Sequence, residues 1–217
     1  MRVALYTVNF DNYDPLIPLT CDLPDNMDAF YFTDKKAPSG WTERVVEPSG
    51  NLPPVARAKA IKILPWVQMP EYSAYIYVDA NYAVIKDPTP LLVEDLVFIG
   101  HPNKRNYSIY EELKRLQRSR KKRDYTKHAD FDAQAREYKE RGVSPYPAPH
   151  IMASVIARKH TPEVRDLCCR WWKEFLFWRN WRDQAPLRYC LQEQQYKVLE
   201  PEEVMDKYVS RLQHQID

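Results

Sequence analysis

Short apolar runs alternating with helical stretches set the architecture that this chain predicts. Residues 3–8 (VALYTV) are β-rich and lead into the polar turn NFDNYD, which suits a central strand delivering a loop. AFYFTD, 29–34, repeats the arrangement and ends on Asp34, while WTERVV, 41–46, alternates as a half-buried strand does. VARAKAIKIL lies between Pro54 and Pro65 and places Ala56, Ala60, Ile63 and Leu64 on one helical face, with Arg57, Lys59 and Lys62 outside it. YSAYIYVDANYAVI is a strongly apolar β run broken by Asp79 and Asn81, and LVFIGH, 96–101, is a strand ending on His101.

Beyond residue 101 the pattern becomes more helical. Ser108 to Arg123 has helical composition, and a second polar helix is expected over 131–141. PHIMASVIAR, 149–158, returns to β character. Thr161, followed by Pro162 and Glu163, then opens a long helix carrying Trp171, Trp172, Phe175 and Trp178. Helices are expected again at 184–193 and 202–214, with the short strand YKVL between them. Strands alternating with helices over the first hundred residues predict an α/β fold, a mostly parallel sheet in three layers. The expected organisation is one domain over 1–217 with a basic helical excursion at about 104–141.

Composition sharpens the picture by exclusion. The chain has 4 glycines, none close to another, against 18 prolines. The dinucleotide fingerprint and the phosphate loop both need clustered glycines to bring backbone amides against phosphate, so neither is present. Cys21, Cys168, Cys169 and Cys190 lack zinc-site spacing and read as free, mostly buried thiols of a reducing compartment. Nothing approaches a membrane-spanning apolar run, so a soluble cytoplasmic chain is expected. The net charge of +2 conceals an asymmetry, because residues 101–141 hold 13 Lys/Arg against 7 Asp/Glu.

Candidate chemistry concentrates where strands end. In YIYVDANY a buried strand suddenly presents Asp79 and Asn81, which period-two alternation turns to the same side. Two oxygen donors at a carboxyl strand end can hold Mg²⁺ or Mn²⁺, whose charge would replace the missing amide cradle; equally, Asp and Asn are ordinary turn residues. Arg57, Lys59 and Lys62 offer cations to phosphate or form a solvated helix face. In RDQ, 182–184, Asp183 is either a carboxylate at a site mouth or the N-cap of the next helix. The histidines show no zinc spacing, and no GxSxG or Cys/His signature supports a covalent hydrolase.

Taken in order, YTVNFDNYD, FTD, RAKAIKILP, YVDANY, HPNKR, YEE, VIARKH, WWKE and RDQ resemble a glycosyltransferase-like family. The family was long catalogued as a domain of unknown function, with plant mucilage-related and microbial members. The resemblance runs from about residue 3 to 190. This family is similar to GT-A-fold transferases of family 8, such as glycogenin. That likeness implies a Rossmann-like sheet, a nucleoside-diphosphate sugar donor, a divalent metal on Asp79 and Asn81, and retention of configuration. Thr7, Asn9, Asp11 and Tyr13 would receive the base and ribose, with Asp34 nearby. Arg57, Lys59, Lys62 and Arg182 would meet the diphosphate or donor sugar. Asp183 would bind sugar hydroxyls, with Gln184 near the anomeric carbon. Asn81 stands where the family 8 motif has a second Asp, and His101, His150, His160 and His214 all remain open as a third ligand.

The basic segment 114–127 carries eight Lys/Arg and one acid, Asp124, with Tyr107, Tyr110 and Tyr125 alongside. It fits a polyanion, such as DNA whose modified bases are glycosylated as by some bacteriophage enzymes, an acidic glycan or an anionic membrane surface; it equally fits a solvated helix. A nucleic-acid-binding protein without turnover and a hydrolase are the rival functional classes.

Overall fold

The computed structural model describes residues 1–46, 52–101, 106–119, 126–146 and 148–211. The main sheet is built from β1 (Val3–Asn9), β2 (Met27–Thr33), β3 (Thr42–Val45), β4 (Ala74–Val78), β6 (Leu96–Gly100), β9 (Ile151–Lys159) and β10 (Lys197–Leu199). Their order is β10-β6-β9-β4-β1-β2-β3. Every pairing is parallel except those of β9, which runs antiparallel to both β4 and β6. The result is a Rossmann-like α/β sheet. All seven residues of β1 are buried, as a central strand covered on both faces requires.

The two faces are packed differently. Tyr6, Phe30, Tyr77, Phe98 and Ile156 meet Leu167, Trp171 and Leu187 from α4 (Pro162–Trp178) and α5 (Gln184–Cys190), together with Ile61 and Ile63 of α1 (Pro54–Ile63). Each such large side chain contributes about 2 kcal/mol by leaving water. Among the described residues, the opposite face, with Leu5, Ile76, Val97 and Val155, has no comparable helical layer. It is covered by a ribbon of β5 (Tyr82–Val84) with β11 (Val209–Arg211), by the short α6 (Pro201–Val204), and by Leu19, Leu23 and Trp41. The third layer is therefore made of short elements rather than long helices. Gly40 (φ 84°) permits part of this packing, since a Cβ there would lie 2.0 Å from the Leu19 carbonyl oxygen.

One expected helix is shorter than its composition suggests. The helix expected over 202–214 stops at Val204: Asp206 turns the chain with φ 58°, and Val209–Arg211 pairs with β5 instead. Residues 212–217, including His214, lie outside the described residues. The first helix of the excursion is α2 (Ile109–Ser119), opened by reciprocal Ser108 and Glu111 bonds of a capping box; 120–125 again lies outside the described residues. It packs with α3 (Phe131–Glu140) around Leu113, Leu116, Phe131 and Tyr138, and this small core reaches Ala185 of α5. The long helix α4 begins as expected, with Thr161 Oγ1 accepting the Val164 N–H at 3.3 Å.

One buried cation fixes where α1 ends. Arg158 on β9 is 0% exposed and donates to the Ile63 carbonyl at 3.1 Å, to Cys168 Sγ at 3.3 Å, and to the Lys62 carbonyl and the Tyr6 hydroxyl. Tyr6 adds a second bond to the Lys62 carbonyl at 2.8 Å. These are carbonyls that a helix C-terminus leaves open, and a cation is favoured there by the helix dipole. Arg158→Met is expected to destabilise the protein by about 3 kcal/mol, because bonds from a charged donor are lost inside the core. Urea denaturation of the two proteins checks this, and a loss under about 1 kcal/mol would contradict the capping role.

Candidate active site

The parallel strands β1, β2, β4 and β6 all end at one edge of the sheet, where a ligand crevice is expected in this architecture. Antiparallel β9 begins at the same edge, since Ile151 pairs with Gly100. His101 donates its backbone N–H to the His150 carbonyl at 2.7 Å, and Asp79 donates its own to the Ser154 carbonyl at 2.8 Å. Asp79, His101 and His150 therefore share this edge. His160 does not: its backbone bonds to Ser73, at the amino end of β4, and its ring stacks on Trp66 at 5.3 Å. That placement removes His160 from the possible metal ligands.

At the centre of the edge lies a buried ion cluster. Asp183, 5% exposed, accepts at Oδ2 from Lys59 Nζ at 2.8 Å and from Lys62 Nζ at 3.0 Å. Lys62, 2% exposed, also lies 3.5 Å from Asp79 Oδ1 and 4.8 Å from the centre of the Tyr77 ring. The Tyr77 hydroxyl donates to Asp79 Oδ1 at 2.6 Å. Burial alone would raise the Asp183 pKa, but Lys59 and Lys62 outweigh it and hold the carboxyl well below the aspartate range. Burial draws Lys59 down, yet Asp183 and Asp79 lift it above the usual lysine value. Lys62 is deeper and faces Lys59 as well, so burial prevails and its pKa falls.

The cluster corrects two simpler readings. Lys59 and Lys62 do not form a solvated face, because α1 turns them inward toward α5 and β4. Asp183 precedes α5 but makes no side-chain cap bond; its carboxylate is occupied by the lysines. Its backbone carbonyl is held by the Trp171 indole N–H at 2.8 Å. Asp79 and Asn81 are likewise not arranged by strand alternation. The chain leaves β4 in a turn closed by the Tyr82 N–H on the Asp79 carbonyl at 3.0 Å; the Asp79 side chain stays 34% exposed there, whereas Asn81 is buried at 6%.

The first loop is organised from within. Asn9 Nδ2 donates to the Asp14 carbonyl at 2.8 Å and to the Tyr31 hydroxyl at 3.0 Å, while its Oδ1 accepts from the Asp14 N–H. Asp34 accepts the Asp11 N–H at 3.0 Å, and Thr7 is buried within β1. Asn9 and Asp34 thus shape the loop, leaving the Asp11 side chain exposed and Tyr13 70% exposed just beyond the carboxyl end of β1. Arg57 lies over Phe10 at 4.9 Å and retains a buried guanidinium nitrogen without a hydrogen-bond partner. Gln184 bonds the Ile151 carbonyl at 3.3 Å and meets Arg182 at 3.5 Å.

The donor set suits one kind of metal. Among the described residues no three His, Cys, Asp or Glu side chains converge, so no all-protein cage exists. Asp79, whose side chain is 34% exposed, carries a carboxylate, and Asn81, 6% exposed, carries an amide oxygen, two oxygen donors in one turn. That is the number from which Mg²⁺ or Mn²⁺ completes its shell with phosphate oxygens and water. Tyr77 and Trp171 are the site-shaping residues that residue-type reasoning missed; Tyr77 was detectable as the same-side neighbour two positions before Asp79.

Sheet, edge and ion cluster define a Rossmann-like α/β protein with a polar site at its carboxyl strand ends. The chain belongs to the TOD1/MUCI70 glycosyltransferase-like domain family, whose model matches residues 53–209, well over half its length. The match contains α1, Asp79, Asn81 and Asp183, and leaves β1 to β3 outside. A search of curated proteins found no match. Family membership supports a role in glycosyl transfer in general. No helix among the described residues is long and apolar enough to cross a membrane.

Asp183→Asn leaves two buried ammonium groups without their carboxylate and is expected to cost about 3–5 kcal/mol at neutral pH. Because the folded pKa of Asp183 is depressed, its contribution is complete above the unfolded value of about 3.9 and is lost as pH falls toward the folded one. Urea titrations from pH 7 to about 2 should show the gap between wild type and D183N closing in acid. A gap independent of pH would contradict the pairing.

Proposed function

We propose that this chain transfers a hexosyl or pentosyl group from a nucleoside-diphosphate sugar to an acceptor, with retention, on a GT-A-like fold. The supporting observation is Asp183 buried between Lys59 and Lys62, with Asp79 beside Lys62, at the ligand edge of the sheet. In the transfer, the bond from the anomeric carbon to the diphosphate oxygen breaks and a bond to the acceptor oxygen forms. The acceptor proton passes to the departing diphosphate.

The charge balance of the cluster assigns the roles. Lys59 and Lys62 are already engaged by Asp183 and Asp79, and Arg182 adds a further positive charge beside Asp183. Asp79 and Asn81 would hold a divalent cation, whose charge would stabilise the departing diphosphate. Arg57, with its unpartnered buried nitrogen beside the first loop, adds a donor for phosphate. The exposed Asp11 and Tyr13 meet the nucleoside. Asp183 binds donor-sugar hydroxyls, and Gln184 with Arg182 lies against the reacting carbon. The four scattered glycines accord with this: phosphate is met by cation and side chains instead of backbone amides.

The acceptor is a modified DNA base or a glycan. On α2, Lys114 and Arg118 are exposed, whereas Arg115 is paired with Glu112 at 2.7 Å and the Tyr110 hydroxyl is turned inward to the Val143 carbonyl. Incubation with a panel of sugar nucleotides and Mn²⁺ should release nucleoside diphosphate. A mass gain should appear on only one of DNA, oligosaccharide and water. Asp79→Ala or chelation of the metal is expected to lower turnover by about 100-fold or more, the usual loss when electrostatic stabilisation of a leaving charge is removed. Absence of turnover together with salt-sensitive DNA binding that survives D79A and D183A would replace this reading with a non-catalytic nucleic-acid-binding one.

A further inference from the structure

The loop from α4 to α5, residues 179–183, carries Arg182 and Asp183 and has an unusual backbone. Arg179 (φ 49°) and Trp181 (φ 57°) both occupy the left-handed region, which costs a residue with a side chain about 1–2 kcal/mol. Asparagine tolerates that conformation best among such residues, yet Asn180 stands between the two strained positions and takes neither. Its side chain has another task. Asn180 is 2% exposed; its Oδ1 accepts the Arg182 backbone N–H at 3.0 Å, and its Nδ2 donates to Gln134 Oε1 at 2.7 Å. Gln134, 0% exposed, donates onward to the Tyr138 hydroxyl at 2.8 Å. The polarity of this relay is dictated from one end. A backbone N–H can only donate, so Asn180 must turn its oxygen to Arg182 and its nitrogen to Gln134, which leaves the Gln134 nitrogen for Tyr138.

Gln134 and Tyr138 belong to α3, inside the excursion. The same excursion packs Leu113 and Phe131 with Ala185 of α5, so apolar and polar contacts reach the reacting loop together. We infer that Gln134 is a positioning residue for Asp183, acting through Asn180, and that the α2–α3 excursion is the buttress of the active site. Without the relay the left-handed residues relax and Asp183 withdraws from Lys59 and Lys62; a misplacement of about 1 Å at a reacting group costs on the order of 100-fold in rate. Only the kinetic arm of the following test rests on the glycosyl-transfer reading.

Gln134→Leu keeps the site filled but removes the acceptor of the Asn180 side-chain N–H. The position of Asp183 is read without turnover from the Trp171 indole N–H, which donates to the Asp183 carbonyl at 2.8 Å. In Q134L its NMR shift should move and its exchange protection fall by about tenfold or more. With a working sugar nucleotide, kcat should fall by about tenfold or more while the donor KM stays within about threefold. N180L should behave as Q134L does. N180D, which keeps the acceptor for the Arg182 N–H, should retain more of the indole protection than N180L does. Folded Q134L and N180L proteins with unchanged indole protection would overturn the inference, as would an unchanged kcat in them where the wild type turns over. If the wild type turns over no donor, the glycosyl-transfer reading fails alone, and the indole signal still decides the positioning role. If Q134L does not fold, the comparison of N180D with N180L decides it.

Discussion

A carboxylate buried between two lysines is the interaction to which much of this molecule conforms. Asp183 is tolerated at 5% exposure only because Lys59 and Lys62 both reach it, and a buried ion whose partner is removed is far costlier than an exposed one. To bring these groups together, α1 must present cations on its inner side, β4 must end where Asp79 meets Lys62, and the chain before α5 must turn sharply inward. Other features follow from that demand. Arg158 and Tyr6 hold the end of α1, and Trp171 and Asn180 hold the loop before α5. Stability and site geometry thus share the same bonds.

The cluster also bears on how a chain so poor in glycine would meet the phosphates of the proposed donor. Backbone cradles require close approach of amides, which side chains obstruct. Here Gly40 serves a surface turn and not an anion site. Positive charge comes instead from side chains and, in the proposed reaction, from a cation at Asp79 and Asn81.

The local pattern made most of the elements legible. Strands β1, β2, β4, β6 and β9 are runs of buried apolar residues, and the caps Thr161 and Ser108 mark helix starts, because these signals depend on residues within a turn or two. The failures occur where a distant segment competes. VSR at 209–211 lies inside a stretch of helical composition, yet it is drawn into pairing with β5. Asp183 looks like an ordinary cap because nothing nearby in sequence announces two lysines on a helix far upstream. Lys59 and Lys62 look solvated for the same reason.

The amino-acid pattern alone determines the α/β class, the absence of glycine-based phosphate loops, and the candidate residues from Asp79 to Gln184, since hydrophobic period and turn chemistry are local properties. Pairing was settled elsewhere. Which carboxylate meets which lysine, whether Asn9 binds a ligand or its own loop, that His160 lies at the wrong edge, and that Gln134 reaches Asn180 all depend on groups far apart in the chain meeting in one desolvated space. There the energy of a charge or an amide is set by its neighbours rather than by its residue type.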